Sequence, residues 1–136
     1  MATEVGGLIS LYRLRLLPEG RVGTFIRNSP SAGAFDAGRM VGFVYSSRFD
    51  PNTLEIEDLF VERYWKDKGV GSLLLQSLES QALQEGCHSI AAMTGVRAGS
   101  KGHLAADICF YEAQGFSADE STSKTTKRMI KRIYQA

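Results

Sequence analysis

Cysteine is scarce: the 136-residue chain has only Cys87 and Cys109, far apart and with no C-x-x-C pair. That excludes a disulfide framework and a cysteine-based zinc site. Both thiols are expected to pack as small apolar groups in a reducing compartment. Histidine is equally sparse, His88 and His103 standing alone, so no cluster has metal-ligand spacing and no metal is expected. Neither sign of charge dominates: 16 Lys and Arg face 15 Asp and Glu, a net +1. A broad basic surface for nucleic acid is excluded, and no nucleic-acid partner is expected. No apolar run approaches the ~18 residues of a membrane span. Met1-Ala2-Thr3-Glu4 lacks a charged stretch leading into an apolar core, so no signal peptide and a cytoplasmic location are expected. What is present is 43% apolar residues, enough for one domain over 1–136 with its own core.

Apolar periodicity orders the elements. Leu8–Leu17, "LISLYRLRLL", reads as a strand closed by a turn at Pro18-Glu19-Gly20. A loop is expected up to Gly33. "AFDAGRMVGFVYSSRF" reads as a hairpin, Ala34–Asp36 against Met40–Arg48 around Gly38. "TLEIEDLFV" follows as a third strand, with Leu54, Ile56 and Asp58 on one face and Glu55, Glu57 and Leu59 on the other. "GSLLLQSLESQALQEG" is an amphipathic helix with Gly86 as C-cap. "CHSIAAMTGV" is a buried strand, 97–104 a loop, and "AADICFYEAQ" a second helix ended by Gly115. Phe116 starts a short strand, and "TTKRMIKRIY" is the last, its charges forming an exposed face. A meander followed by helical crossovers gives an α/β (α+β) fold: a mixed, mostly antiparallel central sheet flanked by helices.

The chemistry concentrates in "VERYWKDKGVGSLLL", residues 61–75. A strand ends at Val61, a turn carries Gly69 and Gly71, and a helix begins. The N–H groups of a first helical turn lack partners and lie at the positive end of the dipole. Glycines would let an anion approach the backbone. The pattern is neither G-x-x-x-x-G-K-[ST] nor G-x-G-x-x-G. By itself it admits a plain strand–helix joint as well as an anion cradle.

Two motifs decide between them. V-x-x-x-x-[Q/R]-x-x-G-x-[G/A] is met by Val61, Gly69 and Gly71, with Lys66 at the [Q/R] position. F-Y-E-x-x-G-F is met by Phe110-Tyr111-Glu112-Ala113-Gln114-Gly115-Phe116. In this order and on these elements, the chain resembles the GNAT (GCN5-related N-acetyltransferase) family, best over 33–134. The resemblance implies an acyl-CoA N-acyltransferase-like fold with acetyl-CoA as co-substrate. The cofactor's pyrophosphate would rest on the backbone of Lys66, Asp67, Lys68, Gly69, Val70, Gly71 and Ser72. Its pantetheine arm would lie along the strand through Leu59 and Val61, where the sheet splays into a V. Lys66 replaces the usual Arg or Gln, keeping the charge without the planar fork.

The resemblance also implies catalytic roles. Tyr111 matches the tyrosine that protonates the departing thiolate, a task suited to a phenol with a reference pKa of ~10. "IEDLFV" is similar to the segment whose glutamate acts on the amine in diamine and polyamine acetyltransferases of the family. Glu57 is the matching residue, with Asp58 beside it and Glu55 as its substitute. Backbone N–H near Val61 would polarise the acetyl carbonyl. His88 reads as a solvated junction residue, and His103 lies in the loop before the Tyr111 helix. Leu104 stands where the family often has asparagine, and Arg97, Ser100 and Lys101 form a basic loop.

The largest departure is N-terminal. Family members place two acceptor-site helices between their first and second strands, and Pro18–Gly33 is too short for both. The acceptor site is then open, or completed by a second subunit in a homodimer, or has lost efficient transfer. The expected activity is acetyl transfer to a primary amine, small or polyamine-like. A non-catalytic acyl-CoA-binding or regulatory module and a nucleotide-phosphate binder are the alternatives.

Overall fold

The computed structural model describes residues 3–5, 9–12, 29–95, 104–119 and 126–133. Strands β1 (Thr3–Val5), β2 (Ile9–Tyr12), β3 (Ser31–Asp36), β4 (Arg39–Asp50) and β5 (Thr53–Val61) form an antiparallel meander. A short 3-10 turn, Arg63–Trp65, leads into helix α1 (Val70–Gln84). Then come β6 (Ser89–Gly95), α2 (Leu104–Ala113), β7 (Ser117–Ala118) and β8 (Thr126–Arg132). The sheet order is β1-β2-β3-β4-β5-β6-β8-β7, and β5–β6 is its parallel pair. The mixed, mostly antiparallel sheet is as expected. The expected turn at 18–20 lies outside the described residues, as does most of the loop expected up to Gly33, but Ser31, Ala32 and Gly33 are already strand; of the loop expected over 97–104, Leu104 instead begins α2 and the rest lies outside the described residues.

The β3–β4 hairpin closes through Ala37 and Gly38, with φ of 49° and 81°. Two successive positive φ values are what a two-residue turn between twisted strands requires. At the next turn Asp50 Oδ1 accepts from Asn52 N at 2.8 Å, and Pro51 fixes the bend.

Helix α1 covers one face of the sheet with Val70, Leu74, Leu75, Leu78 and Ala82, all buried. They meet Val44, Leu54, Ile56 and Ile90 from the strands in one core. Gln81 pins the helix to the start of β3: its amide donates to Ser31 O at 2.7 Å and accepts from Ser31 N at 3.1 Å. Lys131 of β8 reaches Glu79 of α1 at 2.6 Å.

Three expectations need correction. In β5 the register slips between Asp58, opposite Tyr45, and Ile56, opposite Ser46. Glu57 is therefore the extra residue of a bulge, and the alternation changes phase there. Leu59 and Val61 join Leu54 and Ile56 against the core, while Asp58 turns to the other face. The last strand is not a simple charged exterior. Lys131 is tied to the helix side, and Arg128 is half-buried, paired with Asp119 at 3.0 Å and lying over the Phe49 ring. Finally, Cys87 is buried as expected but Cys109 is exposed.

Burial pushes the Cys87 thiol above its ordinary pKa, which lowers its thiolate fraction as well as its access. The expected result with a thiol reagent on the native protein is rapid labelling at Cys109 alone. Cys87 should react only when denaturant opens the core, and Cys109→Ser should abolish the fast phase.

Candidate active site

Strand β5 has β4 along its whole length, but pairs with β6 only from Thr53 to Ile56. Beyond Ile56 no described strand meets that edge, so the sheet splays ahead of Val61. Buried or half-buried backbone groups require partners, and the bare edge from Glu57 to Val61 offers an extended ligand the contacts of an added strand.

The chain then turns back so that the N-terminus of α1 sits beside this edge. The first helical bond runs from Leu73 N to Gly69 O at 3.1 Å, which leaves the N–H groups of Val70, Gly71 and Ser72 without intrahelical acceptors. No side chain caps them, and the first turn holds no acid. Asp67 and Gly69 both take left-handed conformations, φ 63° and 86°. Alternating conformations of this kind turn successive N–H groups toward a common point. A side chain at Gly69 would meet nothing within 4 Å, so its glycine answers to φ alone. Gly71 has a different reason. A Cβ there would lie 3.0 Å from the Phe110 ring, so the absent side chain lets α2 close onto α1.

Between edge and helix lies a cavity of about 450 Å³. It is lined by Leu59, Phe60, Val61, Trp65, Lys66, Asp67, Gly69, Gly71, Ser72, Phe110 and Gln114. Seven of the residues expected from sequence are thus brought together: Leu59, Val61, Lys66, Asp67, Gly69, Gly71 and Ser72. Lys68 instead points its ammonium at the Tyr64 ring, 3.8 Å from the centroid. The Val70 side chain is in the core, and Val70 does not line the cavity.

The two expected catalytic residues do not line the cavity. Tyr111 is 7% exposed, its ring edge-on to Phe110 at 5.3 Å and to Phe116 at 5.1 Å. Glu57 is exposed and accepts a hydrogen bond from Ser47 Oγ. His88 is exposed, as expected, and His103 lies outside the described residues.

Four lining residues were not singled out from sequence: Phe60, Trp65, Phe110 and Gln114. Phe110 and Gln114 are four apart and share one face of α2, a spacing readable within "FYEAQG". Gln114 Nε2 donates to Ser72 Oγ at 2.8 Å and so joins the end of α2 to the start of α1. Trp65 carries a buried indole N–H with no hydrogen-bond partner among the described residues. Among the described residues no group of His, Cys, Asp and Glu could hold a metal ion, and no helix is long and apolar enough to cross a membrane.

The model of the acetyltransferase (GNAT) family matches residues 10–116, and the chain belongs to that family. Acetyl-CoA-dependent acyl transfer is the family's reaction. The match begins well before residue 33 and so reaches into the segment read as divergent. No curated protein shows significant similarity. Among solved structures, the IAA acetyltransferase from Bacillus cereus is 18% identical, with 91% of this chain and 99% of that one covered and a TM-score of 0.73. A GNAT family acetyltransferase from Elizabethkingia anophelis with acetyl-CoA bound is 13% identical, over 91% and 97%, TM-score 0.72. The PaiA N-acetyltransferase from Thermoplasma acidophilum in complex with coenzyme A is 20% identical, over 75% and 59%, TM-score 0.65. At these identities the likeness is one of fold.

The residues present fit the cofactor this family uses: uncapped amides at the start of α1 and an open Gly69 stand beside one cavity. Trp65 is the chain's single tryptophan, so its emission reports on that cavity. Titration with coenzyme A is expected to change its fluorescence. Trp65→Phe takes away part of a cavity wall, and calorimetry should show coenzyme A binding weakened a few-fold. Unchanged affinity would mean that the indole makes no contact with the ligand.

Proposed function

We propose that this protein transfers the acetyl group of acetyl-CoA to a primary amine by direct attack. The observation that carries the reading is the splay of β5 from β6 beside an uncapped helix N-terminus. One slot thereby offers an extended backbone edge and an anion cradle. Acetyl-CoA supplies the acyl thioester. The amides of Lys66 to Ser72 hold the diphosphate, Lys66 adds charge, and the edge at Leu59 and Val61 aligns the arm.

Tyr111 is assigned as the proton donor to the thiolate. The assignment rests on its place in the F-Y-E-x-x-G-F motif; Phe110 and Phe116 hold its ring edge-on. Glu57 is assigned as the group that draws the proton from the incoming ammonium, through water, held in place by Ser47 Oγ. Its exposure suits a base that must first attract a cation. The N–H of Val61 or a neighbour polarises the carbonyl.

Two measurements test the assignment. Lys66 is exposed, so Lys66→Glu leaves the fold intact while reversing a charge at the cradle. Calorimetry should show acetyl-CoA binding weakened about tenfold, with less loss at high salt. Tyr111→Phe keeps the packing and removes the proton. It should lower kcat about a hundredfold or more with the KM for acetyl-CoA unchanged. An unchanged kcat would remove Tyr111 from the chemistry. Tight acetyl-CoA binding with no thiol release for any amine would point instead to a non-catalytic acyl-CoA-binding module.

A further inference from the structure

Asp67 carries the wrong sign of charge for its position. It lines the cavity together with Lys66, Gly69, Gly71 and Ser72, where the surrounding features suit an anion. Its backbone has φ of 63°, in the left-handed region that favours glycine. Aspartate and asparagine are tolerated there chiefly because their side chains can bond to the nearby backbone. Asp67 makes no such use of its side chain. Among the described residues its carboxylate has no hydrogen bond and no ion pair, and no side chain caps the start of α1.

The turn alone does not call for a carboxylate. Glycine takes a positive φ without a charge, as Gly69 does two residues on. Asparagine would take it with the same shape. Nor do the flanking lysines cancel the charge. Lys68 holds its ammonium 3.8 Å from the centre of the Tyr64 ring, and Lys66 is exposed and forms no ion pair with Asp67. The aspartate side chain is short, so a residue that lines the cavity keeps its charge within a Debye length of a ligand there, about 8 Å at physiological salt. Across such a distance water weakens the repulsion of like charges without removing it.

We propose that Asp67 limits the affinity of the cradle: its carboxylate opposes the diphosphate that the neighbouring amides hold. The inference rests on the transfer reading above, which assigns a diphosphate to this turn. Acetyl-CoA and the coenzyme A product carry the same diphosphate, so both are held less tightly than the amides and Lys66 would otherwise hold them. Product that is held less tightly clears the slot for the next turnover. Lys66 and Asp67 thus act on one ligand in opposite senses.

The test is calorimetric titration of coenzyme A into the unaltered protein, Asp67→Asn and Asp67→Gly, at low and at high salt. Asp67→Asn keeps the shape of the side chain and its tolerance of positive φ, and removes only the charge. It is expected to bind coenzyme A about threefold to tenfold more tightly than the unaltered protein at low ionic strength. At ~1 M salt, where the Debye length is about 3 Å, the gain should shrink below about twofold. A purely structural role for Asp67 would not give that salt dependence. Asp67→Gly also lacks the charge and should tighten binding in the same direction. Unchanged or weaker binding by Asp67→Asn, or a gain that persists at high salt, would overturn the inference while leaving coenzyme A binding standing. A gain in Asp67→Gly alone would overturn it too, since the effect would then belong to the backbone. No binding of coenzyme A by any of these proteins would overturn the transfer reading together with this inference.

Discussion

A strand that loses its neighbour halfway along has backbone groups that something must satisfy. In this protein that strand is β5, held by β4 from end to end and by β6 only as far as Ile56. The rest of the active-site region follows from that ending. Past Val61 the chain reverses through Arg63–Trp65 and starts α1. The same short segment thus leaves an unpaired strand edge and an unpaired helix N-terminus next to each other. Both are deficits of partners. A ligand with an amide-bearing arm and an anionic head meets both at once. Phe110 and Gln114 close the arrangement from α2, the first by filling the space that Gly71 vacates and the second by bonding Ser72.

Much of this was legible in the sequence, for identifiable reasons. The hairpin around Ala37-Gly38 and the α1 helix have strong local signals, a turn pair and a leucine stripe. The two motifs placed the glycine turn and the second helix correctly. The turn at Gly69 and the start of α1 were legible because glycine and spacing mark backbone geometry. Strand β1 was missed: three residues, Thr3–Val5, are too few for alternation to show.

Other features were invisible because a partner strand or helix sets them. The phase of β5 flips at Glu57, and the slip is defined only against β4. Read alone, "TLEIEDLFV" alternates without interruption, which sends Asp58 inward and Leu59 outward. Cys109 looked like a small core residue, but α2 turns Tyr111 to the core and Phe110 toward the cavity, and this leaves Cys109 in solvent. Gly71 was read as an opening for the ligand. Its closest neighbour is Phe110, a contact between residues that the sequence keeps far apart.

The balance of forces in the cradle explains how Lys66 can stand where arginine or glutamine is usual. A helix N-terminus contributes about 0.3–1 kcal/mol toward an anion, rising to ~2 when partly buried. An exposed lysine, by contrast, acts through water and is screened by salt. On the proposed binding mode the backbone therefore outweighs the side chain at residue 66. Losing arginine's planar fork would remove geometric precision from the rim of the site, while the amides of Val70, Gly71 and Ser72 would set where the anion lies.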